Sequence, residues 1–172
     1  MSFIDLAKNR FSCRKFDSKP VEQEKIDMIL ESARVAPTAV NKQPQRILVV
    51  DDRKITESLK DCTKYTFDAP LCFIICVNKN LAYNRGYDGK NSADIDGSIV
   101  TTHMMLQAQD LGLGTTWVMA FNPEKAKKIL DLPDELEPLA ILPTGYPAKD
   151  VEISPLHAKS ITIDEMASYN KF

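Results

Sequence analysis

The chain has no Gly-x-Gly-x-x-Gly loop and no Walker-type glycine-lysine loop after any apolar run. A phosphate cradled by backbone amides at a helix start is therefore not its organising motif. Cys13, Cys62, Cys72 and Cys76 form no Cys-x-x-Cys pair, and the two histidines, His103 and His157, are far apart. That pattern gives no support to a metal site. Cys72 and Cys76 sit in LCFIICV, where a thiol reads as a small buried hydrophobe. No apolar run approaches the roughly 18 residues of a membrane span. The opening MSFIDLAKNRF lacks the basic start and long apolar core of a signal peptide. A cytoplasmic protein with no membrane partner is expected. The formal net charge of −2 argues against wholesale nucleic-acid binding.

What is present fits one globular domain over residues 1–172, with 44% hydrophobic and 27% charged residues. Residues from about 148 to 172 are polar with a weak apolar pattern, and read as a C-terminal arm. Charge is uneven. Residues 1–60 hold 12 Lys and Arg against 9 acids, and the remainder holds 10 against 15. The basic excess lies at the N-terminal end.

Ser2 as cap and Asp5 in an acidic first turn predict a short helix over 2–10, and hydrophobic spacing predicts one over 22–35, with Ile26, Ile29, Leu30 and Ala33 on one face. Pro37 ends the second. RILVV (46–50) is a strand. The segment 51–62 is a helix with Ile55, Leu59 and Cys62 on one face, and 71–78 is a buried strand. Residues 79–93 form a loop, and 94–111 a long helix apolar on more than one stripe, a pattern of central or interface helices. Gly112 and Gly114 end it. TTWVMAF (115–121) is expected as a strand, PEKAKKIL as a helix and LAILPTGYP as a last strand and turn. Taken alone, this alternation suggests a parallel α/β sheet.

RFSCRKF (10–16) carries Arg10, Ser12 and Arg14 in alternation. On an extended chain they share one side. Two fixed cations and a hydroxyl arranged this way suit an anion such as a phosphate. Alternation turns Cys13 away.

Three stretches in order, RFSCRKF (10–16), APTAVNKQPQ (36–45) and LGLGTTWVMAF (111–121), with GYP at 145–147, resemble the nitroreductase family of FMN-dependent oxidoreductases. The resemblance implies an α+β fold, a mixed and mainly antiparallel sheet flanked by helices, with FMN at a homodimer interface. It implies that Arg10 and Ser12, with Phe11 between them, bind the phosphate and ribityl chain. Arg14 becomes the cation near the flavin pyrimidine, where positive charge favours the anionic reduced ring. Pro37, Thr38, Ala39, Asn41 and Gln43 form the loop that the other subunit lends. Two prolines are expected to hold it extended. Small Ala39 permits close approach, and Asn41 supplies donor and acceptor. Val40 stands where the family often has Gly, and narrows the loop.

Val118, Met119 and Ala120 match the backbone segment that approaches the flavin's hydride-accepting edge. The family often has glycines there, so Met119 and Ala120 imply a tighter pocket. Trp117 supports this segment from behind. His157 and Lys159 match basic residues that close over the phosphate, and Lys64 a polar contact at the flavin edge. The implied activity is hydride transfer from NADH or NADPH, through FMN, to an electron-poor nitroaromatic or quinone, by ping-pong kinetics in one shared pocket. No protein group is expected as a catalytic acid, base or nucleophile. The alternative is an FMN carrier or sensor with little turnover.

Overall fold

The computed structural model describes residues 2–172. Helix α1 (Phe3–Asn9) begins where the Ser2 hydroxyl accepts the Asp5 N–H at 3.2 Å while the Asp5 carboxylate accepts the Ser2 N–H. Two otherwise orphaned donors are satisfied reciprocally. Helix α2 (Gln23–Val35) turns Ile26, Ile29 and Ala33 inward, with Leu30 half-buried beside them. Strand β1 (Gln45–Val50) follows.

Helix α3 (Arg53–Ser58) is capped by Asp52, whose carboxylate accepts from the Lys54 and Ile55 N–H groups. The expected inward face of Ile55, Leu59 and Cys62 is only partly right. Leu59 and Cys62 are buried, but Ile55 is 43% exposed and Thr56 points in. The chain tightens into a 3-10 turn at Leu59–Asp61. With three residues per turn, Thr56, Leu59 and Cys62 fall in line and Ile55 falls out.

Strand β2 (Leu71–Val77) is buried at every residue. It pairs antiparallel with β1 on one side and with β4 (Glu137–Gly145) on the other. A short β3 (Gly114–Thr115) completes the order β1-β2-β4-β3. The sheet is antiparallel rather than the parallel sheet that element alternation suggests. Its parallel component is an isolated bridge between Ser12 and Thr115. Alternation along β2 divides the core in two. Phe73 and Ile75 face α2 and helix α4 (Ala93–Asp110), among Ile29, Val100 and Met104. Cys72, Ile74 and Cys76 face Leu59, Val118 and Ala126 of helix α5 (Pro123–Ile129).

Gly112, at φ +75°, ends α4 in the left-handed region that disfavours side chains. Residues 115–121 are not one strand. After β3, the Thr116 N–H reaches the Pro143 carbonyl, and pairing resumes only as a bridge from Val118 to Ile141. Pro143 has no N–H to complete the ladder, so the segment cannot run as regular sheet. From Ala148 onward no residue is buried. The arm holds a 3-10 turn (Pro155–Ala158) and a one-turn helix α6 (Ile163–Met166) closed by a Thr162–Glu165 capping box.

Candidate functional site

At the end of α1 the backbone opens at Arg10 (φ −67°, ψ 125°). The extended run that follows is held against the segment after α4. The Cys13 N–H donates to the Thr115 carbonyl at 2.9 Å, and the Thr116 hydroxyl donates to the Cys13 carbonyl. This close approach requires Gly114. A Cβ there would lie 2.6 Å from the Cys13 Cβ. Cys13 is fully buried and Arg14 is exposed, as alternation requires. Arg14 Nη1 makes only a long 3.4 Å contact with the Ser12 carbonyl.

Arg10 is different. It is half-buried, and its Nη1 is buried with no hydrogen-bond partner among the described residues. Burial pulls the guanidinium pKa down from its ordinary value. A buried donor on a permanent cation is costly unless an anion meets it. The arm folds back here. His157 Nε2 lies 3.0 Å from the Lys8 carbonyl, two residues before Arg10, and Lys15 pairs with Asp150. Lys159 follows, exposed.

The segment after β3 runs beside this cluster. Trp117 is half-buried, with its Nε1 buried and unpartnered among the described residues. Val118 turns its side chain into the core, and both its N–H and its C=O are bonded to Ile141. Its backbone donor is therefore already used. Met119 is 68% exposed and Ala120 is exposed. Their N–H groups meet no protein acceptor among the described residues. The Thr63 hydroxyl donates to the Ala120 carbonyl at 2.7 Å, and the Asn122 N–H to the Cys62 carbonyl at 2.8 Å. Lys64, next in the chain after Thr63, is exposed. Arg10, Phe11, Ser12, Arg14, Lys64, Met119, Ala120 and His157 thus come from segments that the fold ties together.

The loop 37–43 lies elsewhere and is not extended. Thr38 is extended, but Ala39–Asn41 form a 3-10 turn, and Val40, Asn41 and Gln43 have φ of 46°, 56° and 48°. Short polar side chains capture the local backbone, which the two prolines alone would have left open. The Thr38 hydroxyl accepts the Gln43 N–H at 3.1 Å, and the Asn41 side-chain oxygen accepts from Gln43 Nε2 at 2.8 Å. Val40 does not narrow the loop inward; its side chain is 73% exposed.

The loop is anchored by a residue that the sequence reading passed over. Asp96, in the first turn of α4, accepts the Ala39 N–H at 2.9 Å. The available signal was an acid on an otherwise apolar stripe. Ser12 and Thr115, by contrast, lie beyond the other end of α4. Eighteen residues span about 27 Å as helix. One chain therefore holds Pro37, Thr38, Ala39, Asn41 and Gln43 at one end of α4 and the arginine cluster at the other. A separate cleft of about 560 Å³, lined by Phe16, Val21, Arg53 and Pro70 among others, contains none of these residues.

The chain matches the profile described as the nitroreductase family over residues 7–68 and 62–146. A nitroreductase family protein of Clostridium difficile 630 shares 43% identity, with a TM-score of 0.93 over the whole of both chains. An FMN-dependent nitroreductase of Clostridium difficile R20291 superposes with a TM-score of 0.80 at 26% identity, covering 99% of this chain and 100% of that one. An FMN reductase [NAD(P)H] of Bacillus subtilis is 26% identical over 155 residues, 80% of this chain and 62% of the relative.

Proposed function

The chain belongs to the nitroreductase family, and from that premise we propose that it is an FMN-dependent oxidoreductase. It takes hydride from NADH or NADPH and delivers it to an electron-poor acceptor, a nitroaromatic or quinone. The observation that carries this reading is the half-buried Arg10, two positions before Ser12, whose buried Nη1 has no partner among the described residues. A dianionic phosphate at the end of a flavin chain answers that unmet donor.

Bound FMN supplies the reversible hydride chemistry. The protein's own residues bind and orient. Arg10 and Ser12 hold the phosphate, and His157 and Lys159 close over it from the arm. Arg14, with no strong partner among the described residues, reaches toward the ring and biases its charge. The unbonded N–H groups of Met119 and Ala120 offer donors at the ring's reactive edge, and Lys64 a cation beside them. Val118 positions this segment through its bonds to Ile141. One pocket serving donor and acceptor in turn gives ping-pong kinetics.

The site is completed by a second copy. Pro37, Thr38, Ala39, Asn41 and Gln43 lie across the length of α4 from Arg10, so they reach the same cofactor only from a partner. Two surfaces support a homodimer. A concave groove of about 740 Å³ lies between α1, α2 and α4, with Phe3, Leu6, Met28, Val35 and Leu106 in its lining. The arm exposes Ile153, Leu156, Ile161, Ile163 and Met166, which a monomer leaves in water. No helix among the described residues is long and apolar enough to cross a membrane, and a cytoplasmic location belongs to the same proposal.

The visible spectrum of the purified protein tests the cofactor, and stopped-flow mixing with NADH and NADPH tests the activity. Release of FMN on denaturation and rapid bleaching of the oxidised-flavin band are expected. The exposed Met119 side chain, standing where the family often has glycine, favours a second reading, an FMN carrier with little turnover. Bound FMN that neither nucleotide reduces would decide for that reading.

A further inference from the structure

The cofactor loop carries three left-handed non-glycine residues, Val40, Asn41 and Gln43. Such torsions persist only where surrounding contacts impose them. Within the loop, the bonds from Gln43 to Thr38 and Asn41 fix its shape. They do not fix where it sits. Arg46 Nη1 donates to the Gln43 carbonyl at 3.2 Å from β1, and a bond to helix α4 comes from Asp96, a carboxylate only 1% exposed.

Both oxygens of Asp96 are engaged. Oδ1 accepts the Ala39 N–H at 2.9 Å, and Oδ2 accepts the Ser92 hydroxyl at 2.7 Å. The Ser92 oxygen in turn accepts the Tyr83 N–H at 3.1 Å, and the Ser92 N–H donates to the Tyr83 carbonyl at 2.8 Å. The first turn of a helix, with its unpaired N–H groups and positive end, is where a buried carboxylate is best tolerated. An apolar side chain would fill this core position without such requirements. The carboxylate therefore earns its place by what it holds.

We propose that Asp96 is a positioning residue for cofactor binding: it sets the place of the Ala39–Gln43 loop and, through Ser92, couples that loop to the 79–91 loop at Tyr83. The proposal rests on the reading of Ala39 and Asn41 as part of a flavin-binding loop. Asp96 itself touches no cofactor. It acts through the Ala39 backbone.

Four variants of the full chain test this: Asp96→Ala, Asp96→Asn, Ser92→Ala and, as a control, Thr101→Val. Thr101 is a fully buried hydroxyl on the same helix, bonded within it to the Gly97 carbonyl at 2.7 Å. Two quantities are measured: amide exchange at Ala39 in flavin-free protein, and FMN affinity by fluorescence titration. In Asp96→Ala, exchange at Ala39 accelerates and FMN affinity falls, each by about 10-fold, the scale of one lost hydrogen bond. Asp96→Asn keeps an oxygen for the Ala39 N–H and recovers to within about 3-fold of the parent. Ser92→Ala, which keeps the direct bond but removes its support, loses about 3-fold. Thr101→Val changes thermal stability without moving either readout. Parental Ala39 protection in folded Asp96→Ala would overturn the proposal, as would an Asn variant no better than the Ala variant. If Asp96→Ala does not fold, unchanged exchange and affinity in Ser92→Ala would overturn it. A parent that binds no FMN would sink the flavin reading instead, while Ala39 exchange would still report on the Asp96 anchor.

Discussion

Val40 holds a φ of 46° with its side chain 73% exposed. A β-branched residue rarely adopts that torsion, which costs roughly 1–2 kcal/mol for an L-residue. Nothing in its exposed side chain offsets the strain. Val40→Gly should therefore stabilise the protein, with the relief of strain set against the roughly 0.5–1 kcal/mol of extra chain entropy that glycine loses. A net gain of about 0.5–1 kcal/mol is expected from urea denaturation; a lower midpoint would mean that the torsion is not strained. Arg14 makes a prediction of another kind. Exposed, and held among the described residues by a 3.4 Å contact alone, it is free to place positive charge near the flavin ring. Arg14→Ala should lower the bound flavin's reduction potential more than it weakens binding, because the lost charge favoured the reduced anion. Redox titration of mutant and parent measures this, and an unchanged potential would remove Arg14 from the ring. The inward turn of Cys13 beside exposed Arg14 was legible in sequence because it depends on one short period. Asp96 was not. Its bond to Ala39 spans 57 positions, and no local pattern records such a pairing.

At the scale of elements, the regular periods read well and the interruptions did not. Helix α2 follows its apolar spacing, α1 its Ser2–Asp5 cap, and β2 its continuous apolar run. The segment 115–121 has the composition of a strand, yet its partner presents Pro143, a residue of another element. Ile55 has the right spacing for an α-helix, but the chain tightens into a 3-10 turn from Leu59, three residues before Cys62. Strand β2 also carries a pH prediction. Burial pushes the Cys72 thiol from 9.0 up to about 12 and Cys76 to about 11. Below pH 9 both states hold these protons and the thiols contribute no slope. Above it the unfolded chain releases them while the folded one does not, so stability falls as pH rises from about 9 toward 12. Cys72→Ala, although less stable at neutral pH, should show a shallower alkaline loss in denaturant titrations at several pH values. An equal slope would mean that Cys72 does not drive it.

For the whole molecule, the central claim is that each flavin site is built from two chains. Asn41 belongs to the loop bonded to Asp96 in the first turn of α4, and Arg10 to the run bridged to Thr115 beyond its last turn. The resemblance gave this arrangement in outline. The placement of the two segments at opposite ends of α4 supports the proposal, and composition and spacing alone do not contain it.

Refolding two mutants together tests this most directly. Arg10→Ala removes a charge-assisted bond, roughly 1.5–3 kcal/mol, or about 10- to 100-fold in FMN affinity. Asn41→Ala removes neutral bonds, roughly 0.5–1.5 kcal/mol. Each mutant dimer carries its defect in both sites. A mixed dimer carries both defects in one site and neither in the other, and random pairing makes about half the dimers mixed. FMN titration of the co-refolded mixture should therefore reveal a phase of parental affinity that neither mutant shows alone. If mixed dimers form and no such phase appears, Arg10 and Asn41 serve one site from one chain, and the shared-site account is wrong.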